Sequence, residues 1–89
     1  MNFLHYEFDL SADETIEVTL DGQQANVRLL DDANFALYKD GKQHHYYGGL
    51  AKESPSRLVA PHEGHWHVVI DLGGYPGTIK ASVRLLQES

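Results

Sequence analysis

The sequence predicts an all-β fold, a single small antiparallel β-sandwich that is jelly-roll-like or a partly open barrel, with residues 1–89 forming one domain. Three observations carry this expectation. Apolar and polar residues alternate with a period of two through most of the chain. Turn-forming clusters of Gly, Pro, Asp and Asn separate the alternating runs at short, regular intervals. No apolar stripe at helical spacing extends beyond a turn.

In the first run Leu4, Tyr6 and Phe8 share one face, and Phe3, His5 and Glu7 share the other. The capping-box-like Ser11-x-x-Glu14 leads into no amphipathic stripe, so Asp9–Thr15 reads as a loop. Ile16, Val18 and Leu20 alternate with Thr15, Glu17 and Thr19 up to Asp21-Gly22, a turn signal. From that turn Ala25, Val27 and Leu29 read as a strand returning antiparallel. Phe35 and Leu37 lead into a second turn at Lys39-Asp40-Gly41-Lys42. A short aromatic strand at His45–Tyr47, a Gly48-Gly49 break and a strand at Arg57–Val59 come next. The clearest pair closes the order: Trp66, Val68 and Ile70 form one face of a strand, and Ile79, Ala81, Val83 and Leu85 one face of another. Gly73-Gly74-Tyr75-Pro76-Gly77 joins them, with glycines suited to positive φ. The expected core is Leu4, Tyr6, Phe8, Ile16, Val18, Leu20, Val27, Leu29, Phe35, Leu37, Trp66, Val68, Ile70, Ile79, Val83 and Leu85.

Composition narrows the function classes. Hydrophobic residues make up 42% and charged residues 22%, as in ordinary soluble domains. A net charge of −6, with seven scattered basic residues, argues against nucleic acid and against an anionic membrane surface. No apolar run reaches the ~18 residues of a membrane span, and no export signal precedes the first strand. A cytoplasmic location is the resulting expectation. With no cysteine there is no disulfide, thiolate nucleophile or cysteine zinc site. Six histidines would bring the charge to about zero if all were protonated.

The order of segments resembles a known family. Phe3-Leu4-His5-Tyr6, Ile16-Glu17-Val18-Thr19-Leu20, the N-V-x-L-x-D-x-x-N-F pattern of Asn26–Phe35, His44-His45-Tyr46-Tyr47-Gly48-Gly49, and G-H-W-H-V-V-x-D-L-G-G-Y at Gly64–Tyr75 resemble the bacterial domain-of-unknown-function family numbered 1883. The resemblance implies a small all-β domain, found alone or joined to a Toll/interleukin-receptor-type domain. It supplies no catalytic residues.

The densest chemistry lies in His62-Glu63-Gly64-His65-Trp66-His67. Along a strand His65 and His67 point the same way, about 7 Å apart, which suits two imidazoles on one metal. His62 could fold back as a third ligand, and Glu63 or Asp71 could supply a carboxylate. The simpler account is an outward strand face, because Trp66, Val68 and Ile70 occupy the inward one. His44–Gly49 could form an aromatic platform or an edge strand, and Tyr75 sits at a turn tip suited to exposure. Asp31-Asp32-x-Asn34 could offer oxygens to calcium, but it lacks the glycine and glutamate of a calcium loop; a turn capped by Asp32 or Asn34 fits better. No G-x-S-x-G occurs, and the glycine pairs are not followed by helices that would make phosphate loops.

The leading expectation is a non-catalytic binding or interaction module without a cofactor. Its ligand patch would be Tyr46, Tyr47, Tyr75, His65 and His67, taking a small molecule, a carbohydrate or a partner protein. The alternative is a zinc or nickel site of His62, His65 and His67, hydrolytic if Glu63 serves as base. A third expectation is a homodimer formed through an exposed strand edge.

Overall fold

Alternation in the sequence becomes two faces of two sheets. The computed structural model describes residues 3–21, 24–52 and 54–86. Its elements are β1 (Phe3–Leu10), β2 (Thr15–Leu20), β3 (Ala25–Asp31), α1 (Asp32–Lys39), β4 (Tyr47–Ala51), β5 (Ser56–Val59), β6 (Gly64–Asp71) and β7 (Ala81–Leu86). One antiparallel sheet has the order β1-β6-β3-β4, and the other the order β5-β2-β7. The fold is a small all-β sandwich, not a closed barrel.

The core lies between the sheets. Leu10, Val27, Leu29, Trp66, Val68 and Ile70 from the larger sheet meet Ile16, Val18 and Leu58 from the smaller one. Burying one such side chain stabilises the fold by about 1.5–3 kcal/mol. Leu4, Tyr6, Phe8, Leu20, Ile79, Val83 and Leu85 pack around the margin of this cluster. Alternation located these residues correctly because successive side chains of a strand point to opposite faces of its sheet, and one of those faces meets the other sheet.

Several expectations are corrected. Phe35 and Leu37 do not continue a strand: residues 32–39 form α1, and the helix buries Phe35 and Tyr38, spaced at i and i+3. Asp31, not Asp32 or Asn34, is its N-cap, accepting the Asn34 N–H at 2.8 Å. The helix ends where the sequence suggested a plain turn. Gly41 N–H donates to Tyr38 O (3.1 Å) and Lys42 N–H to Leu37 O (2.9 Å), a Schellman closure with Gly41 at φ +71°. Phe35 thus leaves the sandwich core for a second cluster with Leu30, Tyr38 and Val69 on the outer side of the larger sheet, whereas Leu37 is only half-buried and belongs to neither cluster.

β2 and β3 do not form a hairpin, since they belong to different sheets, and β6 and β7 are likewise split. A sandwich corner and a hairpin leave the same alternation in sequence, so pairing was not legible there. Gly22 of the expected Asp21-Gly22 turn lies outside the described residues. The aromatic strand begins only at Tyr47, and Gly48-Gly49 lies inside β4. At Gly48, with φ +110°, a Cβ would stand 2.3 Å from the Val27 carbonyl oxygen, so a side chain is excluded by the neighbouring strand. No helix among the described residues is long and apolar enough to cross a membrane.

Candidate metal centre

The outer face of the larger sheet carries the chemistry. Residues facing away from the core align in cross-strand rows set by register: Asp9 beside His65, Glu7 beside His67 and Leu30, His5 beside Val69 and Arg28, Phe3 beside Asp71 and Asn26. In isolation all would be wet. α1 covers the β3 side of this face with Phe35 and Tyr38, and the β1 side stays open. The open side gathers His5, Glu7, Asp9, His65, His67 and, from the first turn of the helix, Asp32.

The helix is held down by a buried carboxylate. Asp71, 0% exposed, accepts from Tyr38 Oη (2.6 Å), Asn26 Nδ2 (3.0 Å) and the Gly73 N–H (2.8 Å), and pairs with Arg28 Nη1. Burial alone would push the Asp71 carboxyl up. The hydrogen bonds from Tyr38, Asn26 and Gly73, with the Arg28 charge, outweigh it and hold the group below the usual carboxylate range. In the same contact, burial first and Asp71 second push the Tyr38 phenol well up. The Arg28 guanidinium lies 5.6 Å from the Tyr38 ring centroid and 5.0 Å from that of Tyr46. Asp71 therefore serves the helix dock and does not face the histidines as a carboxylate ligand.

His67 is outward-facing, as alternation requires, yet only 5% exposed because α1 lies over it. Phe35 stacks on both His67 (4.3 Å, 11°) and His5 (4.2 Å, 20°), so one aromatic ring fixes the plane of two imidazoles. His67 Nε2 donates to Asp32 Oδ1 at 2.6 Å. In the tautomer with that proton on Nε2, His67 Nδ1 accepts from His5 Nε2–H at 2.9 Å. Glu7 Oε1 stands 3.7 Å from the same Nδ1. Partial burial, and next the neighbouring His67, lower the affinity of His5 for a proton, which keeps this imidazole neutral at neutral pH.

His65 is set differently. Its Nδ1 donates to Asp9 Oδ1 (2.7 Å) and its Nε2 to Glu7 Oε1 (3.1 Å). These two acceptors, Asp9 first, push its pKa up to about 9, so it is an imidazolium at neutral pH. The His65 hydrogen bond in turn holds Glu7 below the ordinary glutamate value. Among the described residues, two triads offer ligand atoms mutually within 4.8 Å: His5, Glu7 and His67, and Asp32, His65 and His67.

Of the residues singled out in the sequence, His65 and His67 are brought together, with ring centroids 5.1 Å apart. His62 is not with them. Its ring rests on Trp66 (4.9 Å), and its carbonyl accepts the indole N–H at 3.1 Å, while Trp66 itself points to the opposite face of β6. Glu63 precedes β6, and its carbonyl oxygen accepts from His62 Nδ1 at 2.9 Å. The tyrosines are dispersed. Tyr46 leans over Arg28, whereas Tyr47 meets the edge of Trp66 at 6.0 Å. Tyr75, 80% exposed, borders a hollow with Phe3, Leu4, Leu72 and Pro76 beyond the far end of β6.

His5, Glu7 and Asp9 were missing from the candidate residues, and Asp32 was weighed only as a calcium ligand or a turn cap. Part of the signal was present, since His5 and Glu7 oppose Leu4, Tyr6 and Phe8 in period. Joining them to His65 and His67 required the β1–β6 register.

No curated protein and no solved structure matches the chain. The model of the family described as a domain of unknown function (DUF1883) does match, over residues 1–89, and the chain belongs to that family.

Proposed function

We propose that the protein is a binding module for a divalent transition-metal ion, held by His5 Nε2, His67 Nδ1 and a Glu7 carboxylate oxygen. One observation carries the reading: two imidazole nitrogens face each other at 2.9 Å with a carboxylate oxygen 3.7 Å from one of them. Adjacent ligands of a tetrahedral ion with ~2.0–2.1 Å bonds stand roughly 3.3 Å apart, between those two distances. The ion takes the place of the proton that lies between the two rings, and that proton, the single one on His5, moves to His5 Nδ1. Two nitrogens and one oxygen suit zinc, nickel or copper and do not suit calcium. The Phe35 ring that stacks on both imidazoles keeps them oriented before any ion arrives.

Calorimetry of tag-free protein with zinc, nickel and copper tests this. His5→Ala is expected to weaken binding at least tenfold and His62→Ala to leave it unchanged. Binding no tighter than millimolar, or equal loss in both variants, overturns the proposal.

A further inference from the structure

Resting on that reading, we propose that the patch takes two ions, with the imidazolate of His67 bridging them. His67 belongs to both ligand triads. Nδ1 faces His5 (2.9 Å) and Glu7 (3.7 Å). Nε2 faces Asp32 (2.6 Å), and His65 stands beside the ring, nearly perpendicular to it at 5.1 Å. The ring cannot turn to serve one set at the expense of the other, because Phe35 is stacked on it at 4.3 Å and it is almost wholly buried. Its two nitrogens therefore present two separate coordination directions. Ions bonded at ~2.0–2.1 Å to opposite nitrogens of one imidazolate lie roughly 6 Å apart. The outer ligands Glu7 and Asp32 are largely exposed, which leaves the remaining coordination positions open to water.

Charge supports the same count. Two dications are balanced by the His67 imidazolate and the carboxylates of Glu7, Asp9 and Asp32, which crowd this face. Loading is a proton exchange without redox change. The first ion displaces the hydrogen bond between His5 and His67, with the His5 proton moving to its Nδ1. The second takes the proton from His67 Nε2 and one of the two protons of His65, and both leave to the buffer. The second ion therefore binds more weakly, and its apparent heat depends on the buffer's ionisation enthalpy.

The test is copper(II) titration of the tag-free full chain, followed by calorimetry and electron paramagnetic resonance. Two ions per chain are expected, with a spin count far below that of two isolated coppers, because an imidazolate couples them antiferromagnetically. Asp32→Asn and His65→Gln, both on the open side, should reduce the stoichiometry to one and restore a full single-copper signal. His67→Gln should remove both events, with circular dichroism reporting its fold. Two uncoupled ions overturn the bridge. One ion per chain, unaffected by Asp32→Asn and His65→Gln but lost in His5→Ala, overturns the second site and leaves the single-ion reading standing. No binding overturns both.

Discussion

The two outer faces of the sandwich are built on one rule and differ in the nitrogen-bearing side chain each uses and in what covers it. On the smaller sheet, Glu17 of β2 lies in register with Arg57 of β5 and Arg84 of β7. Arg84 Nε donates to Glu17 Oε1 at 2.9 Å and Arg57 Nη2 to Oε2 at 3.3 Å, and these arginines, Arg84 first, hold the carboxyl below its ordinary value. On the larger sheet, Glu7 of β1 lies in register with His67 of β6, with His5 and His65 near by. Both faces place a carboxylate among cross-strand side chains whose nitrogens can donate to it, the arrangement that favours pairing. A guanidinium has only donors and stays charged, so the Glu17 ladder is saturated and closed. An imidazole has a lone pair on each nitrogen once its protons leave, so the Glu7 cluster retains ligands. The second difference is cover: α1 lies over one face only and orients the rings there.

Removing the helix dock is the strongest way to break this contrast. Asp71→Asn leaves the Arg28 charge without its buried partner, and equilibrium urea unfolding is expected to show a loss of about 3–5 kcal/mol. A loss under about 1 kcal/mol would mean that the helix is held by its apolar contacts alone. The same pair of proteins gives a pH test. The carboxyl of Asp71 is depressed in the folded chain, so its contribution is complete above the unfolded value near ~3.9 and is lost as pH falls through the folded one. The stability gap between wild type and Asp71→Asn should therefore be full at neutral pH and close in acid. A gap that persists unchanged below pH ~2 contradicts the assignment.

Tyr38→Phe is the next smaller change. It removes the 2.6 Å hydrogen bond to Asp71 and keeps the ring packed against Phe3, with an expected cost of about 1.5–3 kcal/mol in the same unfolding experiment. The smallest effect sharpens the comparison directly. Arg57→His with Arg84→His gives the smaller sheet imidazoles around Glu17 without an aromatic ring to orient them. This variant, made in a His5→Ala background, is expected to gain only weak zinc binding by calorimetry. Affinity equal to the wild-type protein would show that the Phe35 cover contributes nothing.

Most of the fold was legible one strand at a time. Ile16, Val18 and Leu20, or Trp66, Val68 and Ile70, declare an inward face by period alone, because a half-buried strand must separate its faces. The helix was not legible, because Phe35 and Leu37 also satisfy a period of two over so short a span. Its markers were read differently: Asp31 as part of a turn, and Gly41 as a turn residue where it is a helix terminator. Of the candidate site, the sequence showed that His65 and His67 share a face, and that His5 and Glu7 share one.

The sequence by itself determined the class of fold, the inward face of each main strand and the family, since these depend on local pattern and on order along the chain. Only the tertiary structure decided which outward faces meet. His5 and His67 are 62 residues apart and Glu17 and Arg84 are 67 apart, so a one-residue slip in register would dissolve either cluster. Burial was decided there too. A strand's alternation tells which side of the sheet a residue faces, but the chain's return as α1 is what covers His67 and Asp71 and leaves His65 at the surface.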